Sequence, residues 1–513
     1  MSNIRKEFFN KKVELLSLSS DKIAKWFLYY GYYGDKYKYP PIFDICKFNE
    51  NMSDFLVYKL NPKDAKKDKT VYELLNLDIR YTNDSKRIFS LIHPNIYHDI
   101  VKVIVDNWNT IIEHIFNEDL KIYSYSFPIP IYKTKVQNKS SSKNMIYNFL
   151  TVEEKLTNDA YNYKYILRTD ISKFYHSIYT HSIAWALEGR ENAFLNRNKR
   201  DNLGVQLDSL FQRANHFQTN GIPIGSAVSD VVAEIVLSKI DRNVSLESRI
   251  KDMDFVATRY KDDYRFLCNT EEEAKYIRDI LENELQKYNL WMNKSKTNIF
   301  KLPHGLERKW KKAYYKNCIL PKFNLKIDDF LTAYYYLIEI EEEYPGSSMI
   351  SKFLDNLVDK KGHVIFSHLK TKDKIKIINL LSLLIDYSPR ILPQIFSIIE
   401  LLINNISKET EFYLFVEDFI NKMYSNLVNS KMIDEYRLIW IYFFSKKHNI
   451  NLINVTNDKL LYTLNNNKFI NYMENRTDIF DNIDIDTNIY NDNNINDFIY
   501  NHVSIFKKIN IKH

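Results

Sequence analysis

The chain has 513 residues, of which 45% are hydrophobic, 15% aromatic and 27% charged, with a formal net charge of +7. That length implies more than one domain, and the aromatic content excludes wholesale disorder. Cys46, Cys268 and Cys318 are too few and too dispersed for a disulfide framework or a zinc cluster, which fits a reducing cytosol. The charged first fourteen residues lack the apolar core of a signal peptide, and the most apolar run, 377–385, is too short to span a bilayer. A cytoplasmic protein without a membrane partner is therefore expected. The basic balance suits a polyanionic partner, but an AT-rich coding sequence would produce the same abundance of Lys, Asn, Ile and Tyr with only 9 Gly.

In chain order, residues 11–43 begin with a helical stretch through Ala24, Trp26 and Leu28. They continue into Tyr29-Tyr30-Gly31-Tyr32-Tyr33-Gly34 and the pair Pro40-Pro41, which mark a loop. Its tyrosines either stack on bases or pack on the surface. A second helical pattern follows His93-Pro94, over 100–116 around Trp108, and Ser126-Phe127-Pro128-Ile129-Pro130 ends that unit as an extended segment. From 161 to about 302 strands and helices alternate, as in an α+β catalytic domain. Beyond 317, the segments 328–343, 372–386, 391–406 and 411–427 are apolar at helical spacing and separated by short polar breaks. They predict an all-helical region of stacked helix pairs, HEAT-like in character. The tail 451–496, rich in Asn, Asp and Ile, reads as loop-heavy. The expected division is 1–160, 161–310 and 311–513.

Chemistry concentrates in the middle region. Arg259-Tyr260-Lys261-Asp262-Asp263-Tyr264-Arg265-Phe266 places two adjacent carboxylates between two runs rich in β-branched and aromatic residues. The pattern predicts a tight antiparallel hairpin with Asp262 and Asp263 at its tip. Carboxylates held together need cations, and magnesium prefers such oxygens while leaving positions open for phosphates; a solvated turn is the plainer alternative. Upstream, Tyr165 to Asp170 alternates as a strand, and a helical pattern begins after Ser172. Asp170 is then either a helix cap or a third carboxylate completing a two-metal site for displacement at phosphorus. Gly221-Ile222-Pro223-Ile224-Gly225-Ser226 leads into a helix over 231–240 and is either an ordinary turn or a loop that lets backbone approach a base pair or phosphate. After an amphipathic helix over 271–288, Asn293-Lys294-Ser295-Lys296-Thr297 presents lysines that reach phosphates or simply face solvent.

In this order the pieces resemble the palm of reverse transcriptases, with Asp170, Gly221 to Ser229, Tyr260 to Asp263 and Asn293 to Thr297 as four successive motifs and the likeness running from about residue 11 to 300. A finer resemblance is to the prokaryotic defence enzymes of the abortive-infection and DRT group, AbiK-like. It is carried by Phe174-Tyr175-His176-Ser177-Ile178-Tyr179-Thr180-His181-Ser182-Ile183-Ala184-Trp185-Ala186-Leu187 with Gly189, by Gly221 to Ser226 with Glu234 and Asp241, by Arg259 to Tyr264, by Gly31-Tyr32-Tyr33 with Pro40-Pro41, and by Arg87 before His93-Pro94.

The resemblance implies a fingers and palm region followed by a helical extension. Two magnesium ions, with manganese as a substitute, would be held by Asp170, Asp262, Asp263 and the Ile171 carbonyl. It implies Lys296 as proton donor to the leaving pyrophosphate. Arg87, Phe174, Tyr175, Gly221, Pro223, Gly225 and Ser226 would form the nucleotide site, with Tyr175 excluding the ribose 2′-hydroxyl. The implied activity is anti-phage, protein-primed addition of dNTPs, with a single-stranded DNA product covalently attached and a trimer or hexamer as the working form. With 38 tyrosines the priming residue stays unassigned. Two alternatives accompany it: copying of a dedicated non-coding RNA, and a catalytically silent helical nucleic-acid-binding protein. Lys261 occupies the variable position of the third motif, where many relatives carry a small or apolar residue; it either alters metal or primer handling or points to solvent.

Overall fold

The computed structural model describes residues 3–32, 39–41, 72–82, 85–132, 135–136, 151–199, 201–321, 324–359, 361–454, 458–474, 479–480 and 499–503. Tyr33, Gly34, Cys46 and half of the 451–496 tail lie outside them; the described half of that tail is not loop-heavy but contains the helices Asp458–Asn466 and Lys468–Met473.

Nine strands are present among these residues: β1 (Leu75–Arg80), β2 (Lys86–Leu91), β3 (Ile122–Ser124), β4 (Ile131–Tyr132), β5 (Lys135–Val136), β6 (Tyr165–Asp170), β7 (Val256–Tyr260), β8 (Asp263–Cys268) and β9 (Asn298–Lys301). Five form one sheet in the order β3-β7-β8-β6-β9. The β3–β7 pair is parallel and the other neighbours are antiparallel. Strands β7 and β8 are buried along almost their whole length. That explains why Val256, Ala257, Phe266 and Leu267 read as near-continuous apolar runs rather than an alternating pattern.

Two long helices cover this sheet. The Glu271–Lys287 helix starts with a capping box in which the Thr270 hydroxyl accepts from the Glu273 N–H and the Glu273 carboxylate accepts from the Thr270 N–H. Ala274, Ile277, Leu281 and Leu285 form its apolar stripe and are buried. Each Ile or Leu contributes roughly 1.5–3 kcal/mol by leaving water, so Leu281→Asp alone would undo the docking. Beyond the helix, the chain turns through Asn289 in the left-handed region, φ 60°. The Ala227–Leu246 helix is buried nearly all round, yet it also carries Asp230, Glu234 and Asp241 into the interior.

Near the N-terminus the expected loop does not begin at Tyr29. Phe27–Gly31 continues the Ser20–Trp26 helix as a π-helical turn. Gly31 allows close packing there, since a Cβ would lie 3.1 Å from both the Ala227 Cβ and the Tyr97 hydroxyl and would have to push them aside. Tyr32 is buried, and its hydroxyl donates to the Ile92 carbonyl at 2.5 Å, so it packs in the core rather than serving as a base platform. The expected helix over 100–116 is two helices, Pro94–Asp106 and Trp108–Ile115, broken at Asn107.

The later chain is helical, through Ile327–Glu343, Met349–Asn356, Thr371–Tyr387, Leu392–Ile403, Glu411–Val428 and Glu435–His448. Their shared interior includes Leu337, Phe353, Leu381, Ile395 and Trp440. These helices return to the β1–β2 hairpin, where the Arg390 guanidinium lies 4.5 Å from the Tyr81 ring centre and Lys468 pairs with Glu73 at 3.3 Å. The molecule thus combines an α+β sheet region with a helical region that closes back on its first hairpin.

Candidate active site

Strand pairing brings the three singled-out aspartates to one end of the sheet. Tyr260 faces Asp263 across the β7–β8 hairpin, which leaves Lys261 and Asp262 as a two-residue connection. Lys261 has φ 52°. A left-handed residue with a long side chain costs roughly 1–2 kcal/mol, and the turn tolerates it because its backbone is held on both sides. The Lys261 N–H donates to the Ser126 hydroxyl, and its carbonyl accepts from Arg259 at 3.2 Å. Antiparallel pairing of β6 with β8 sets Asp170 directly opposite Asp263, and the Ile171 N–H donates to the Asp262 carbonyl at 3.2 Å. The segment after the Glu271–Lys287 helix is stitched to the same end, since Asn293 N–H donates to the Asp170 carbonyl at 2.7 Å and Ser172 N–H to the Trp291 carbonyl at 2.8 Å.

The side chains follow the backbone. Lys296, on the Lys294–Lys296 turn, pairs with Asp170 at 2.8 Å while remaining 62% exposed. Arg265 lies 3.3 Å from Asp263 and 3.3 Å from Glu153, and Glu153 also takes Arg308 at 3.3 Å and Lys311 at 2.8 Å. Burial pushes the Glu153 carboxyl up, but the Lys311 hydrogen bond and the nearby Arg265 and Arg308 outweigh it and leave it below its ordinary value. Asp262 makes no ion pair among the described residues. Burial first, then the Asp170 charge, push its carboxyl up to about 6, and the adjacent Lys261 charge offsets this only in part.

On the opposite face of the hairpin a second set of acids is fully satisfied. Arg259 and Tyr264 are cross-strand neighbours and both point at the Ala227–Leu246 helix. The Arg259 guanidinium has no exposed surface; it donates to Glu234 at 2.7 and 3.1 Å and to Asp241 at 2.8 Å. Tyr264 donates to the other Asp241 oxygen at 2.9 Å, and Ser124 to Glu234 at 2.6 Å. Burial alone would favour a neutral Arg259, but Asp241 and Glu234 hold it charged. One turn before Glu234, Asp230 accepts from the Tyr175 hydroxyl and pairs with Lys261 at 3.0 Å. Lys261 therefore reaches inward, not to solvent.

The loop of Gly221 to Ser226 is threaded against the Phe174–Ser177 turn. Gly221 N–H donates to the Ile178 carbonyl at 2.8 Å and Ile222 N–H to the Tyr175 carbonyl at 3.0 Å. At Gly221, φ is 85° and a Cβ would sit 3.2 Å from the His176 carbonyl oxygen, so only glycine suits the position. The Ser90 N–H of β2 donates to the Ile224 carbonyl at 2.8 Å and brings the β1–β2 hairpin to the same loop. Pro223 and Ser226 are buried, and Gly225 is half-buried. Phe174 is buried behind Tyr175, ring centres 5.0 Å apart. Arg87 is exposed on β2 and lies over the Tyr81 ring at 4.6 Å.

Sequence reasoning missed the parts played by Asp230, Glu153 and Arg265. A usable signal was present for the first. Asp230, Glu234 and Asp241 recur at i, i+4 and i+11 in an otherwise apolar helix, which puts all three on one face, and Arg259 and Lys261 are the cations to meet them.

Among the described residues no group of three or more His, Cys, Asp or Glu side chains is closed around a metal position. Lys296 and Arg265 instead supply the cations to Asp170 and Asp263. The donor chemistry nevertheless fits a hard divalent ion, because half-buried Asp262 sits beside Asp170 and desolvation, together with their repulsion, outweighs the nearby Lys261 charge.

A sheet-borne cluster of carboxylates, a lysine beside it and a glycine-bounded loop opening a helix define a nucleotidyltransferase palm. Residues 96–319 match the family model described as "Reverse transcriptase (RNA-dependent DNA polymerase)"; the chain carries a reverse transcriptase domain and is an enzyme of that class. Domains of this family generally use divalent metals such as magnesium. No curated protein matches the chain. Among solved structures it is similar to a telomerase from Candida albicans in complex with a TWJ fragment of telomeric RNA, at 12% identity over 71% of this chain and 68% of that one, TM-score 0.26. It is also similar to an apo telomerase from Candida tropicalis, at 14% identity over 64% of this chain and 56% of that one, TM-score 0.25. Both likenesses are too distant to inform function. No helix among the described residues is long and apolar enough to cross a membrane.

Proposed function

We propose that the chain is a divalent-metal-dependent DNA polymerase of phage defence, adding dNTPs by a two-metal phosphoryl transfer and primed by a tyrosine of its own oligomer. The observation that carries the polymerase reading is the meeting of Asp170, Asp262 and Asp263 at one end of β6 and β8, with Lys296 on the first of them. Asp170, Asp262, Asp263 and the Ile171 carbonyl would hold magnesium, which supplies Lewis-acid activation of the attacking hydroxyl and charge neutralisation at the leaving pyrophosphate. Lys296, paired with Asp170 yet mostly exposed, protonates that pyrophosphate. Tyr175 packs beneath the incoming sugar and excludes the 2′-hydroxyl, and Arg87 binds the triphosphate.

A polyanionic product is supported by the charge along the chain. Residues 291–326 hold ten Lys and Arg against one Glu, more than the net charge of the whole chain. Lys294, Lys301, Lys309, Lys312 and Lys316 are exposed and carry no ion pair among the described residues, and exposed Trp291 and Tyr315 interleave them. Such a basic, aromatic strip beside the carboxylates fits single-stranded DNA leaving the site. Support for the defence role and for protein priming is the resemblance across Phe174 to Leu187 together with the helical region after Lys309.

The test is incorporation of labelled nucleotides by purified protein with magnesium, without added nucleic acid, followed by separate proteinase and nuclease digestion. Label that enters the protein band, and is removed by nuclease, is expected. Synthesis that occurs only with a co-purifying RNA replaces untemplated priming by copying of that RNA. No incorporation of any nucleotide, with Asp262→Ala indistinguishable from the unaltered chain, overturns the enzyme reading.

A further inference from the structure

The residue between Tyr260 and Asp262 has no obvious reason to be a lysine. Its φ of 52° suits Gly or Asn better, and a cation beside two metal-binding carboxylates would weaken metal binding if it pointed at them. It points elsewhere. The Lys261 side chain is only 26% exposed, its ammonium sits 3.0 Å from the Asp230 carboxylate and 5.5 Å from the centre of the Tyr175 ring, and the same Asp230 oxygen accepts the Tyr175 hydroxyl. Asp230 is itself buried on the Ala227–Leu246 helix.

We propose that Lys261 is a specificity-determining positioning residue, which through Asp230 locks the Tyr175 ring in the orientation that sets deoxyribose over ribose selectivity. This deepens the polymerase reading above and rests on it. A buried carboxylate is held in place by the donors and cations around it. Lys261 and the Tyr175 hydroxyl meet on one Asp230 oxygen, so the ammonium fixes the acceptor that fixes the Tyr175 phenol. Burial, and then the Asp230 charge, keep the phenol protonated, so it remains the donor. The hairpin that carries Asp262 and Asp263 and the aromatic floor of the sugar site are thereby one rigid unit. With Lys261 removed, the Asp230 carboxylate keeps the phenol contact but is no longer held in one orientation, and the ring is free to yield to a 2′-hydroxyl. Arg259 does not substitute, because its donors are taken by Glu234, Asp241 and the Lys261 carbonyl.

The experiment is the ratio of kcat/KM for a dNTP to that for the matching rNTP, in the full-length chain, for Lys261→Met, Lys261→Arg, Tyr175→Phe and the Lys261→Met/Tyr175→Phe double variant. Lys261→Met is expected to lower the ratio about tenfold, the scale on which small misplacements of a substrate-positioning group act. Lys261→Arg should restore most of it, and the double variant should match Tyr175→Phe alone, because both lesions act through one hydroxyl. If Lys261→Met depresses both substrates equally and leaves the ratio unchanged, the lysine is only a structural strut and the inference is overturned. Independent, additive losses in the double variant overturn it as well. An unaltered chain that incorporates neither nucleotide removes the polymerase reading and this inference with it, which separates that failure from the other two.

Discussion

The two faces of the β7–β8 hairpin carry acids in opposite states. Behind it, Glu234 and Asp241 share a guanidinium with no exposed surface, and Ser124 and Tyr264 fill remaining acceptor sites. In front, Asp170 and Asp263 are met by single contacts to Lys296 and Arg265, while half-buried Asp262 beside Asp170 makes no ion pair among the described residues. The first cluster is complete and can only hold the hairpin in place. The second is left short of positive charge at the end of a stiff sheet, where a substrate and its metal can complete it. Acidic residues gathered around one hairpin thus divide into support and chemistry according to whether guanidinium and hydroxyl donors already fill their oxygens.

The largest expected effect separates the two faces. Asp263→Asn keeps the shape and removes one negative charge from the incomplete cluster. Nucleotide incorporation should fall at least about 10³-fold, the scale of losing a main electrostatic contributor to the transition state, with the melting temperature nearly unchanged. A melting temperature that collapses along with the activity would place Asp263 among the supporting acids instead. Arg259→Met should do the reverse. It leaves Glu234 and Asp241 buried and unpaired, so stability to denaturant should fall by roughly 3–5 kcal/mol, while the protein still folded at low temperature retains measurable incorporation. If Arg259→Met costs less than about 1 kcal/mol, the rear cluster is not what holds the hairpin.

Much of this was legible in the chain. The apolar runs on either side of Asp262-Asp263 gave strands within a residue of those found, and alternation in Tyr165 to Asp170 gave β6, because a buried hairpin and a sheet-centre strand leave strong local patterns. Helical spacing after residue 317 located four helices to within a few residues. Hidden were features set by partners far along the chain. The strand β3 is three residues long and exists because β7 lies beside it, and the break at Asn107 divides a pattern whose apolar spacing runs through it. The β1–β2 hairpin passed unnoticed although Leu75–Arg80 alternates strictly, because β2 does not alternate and runs from exposed Lys86 and Arg87 into a buried end. The direction of Lys261 was likewise unreadable: position beside an acidic pair suggests solvent or metal, and only the packing of the Ala227–Leu246 helix brings Asp230 within its reach.

The smallest effect tests whether the front cluster is strained by its own charge. Desolvation, and then the Asp170 charge, push the Asp262 carboxyl up to about 6 from an ordinary value of 3.8. A carboxyl raised on folding binds a proton more tightly in the native state, so its contribution to stability is intact below about pH 4 and is lost as pH rises toward and through 6. Asp262→Asn removes the charge and with it that loss. In metal-free buffer the variant should melt at the same temperature as the unaltered chain near pH 4, or slightly below it, and a few degrees above it at pH 8, while catalysing nothing at either pH. Addition of magnesium at pH 8 should raise the melting temperature of the unaltered chain and leave the variant nearly unmoved, because only the former has repulsion for a cation to relieve. A variant that is less stable than the unaltered chain at pH 8 without metal would mean that Asp262 is already neutralised by the protein, and the distinction between the two faces would then rest on Asp170 and Asp263 alone.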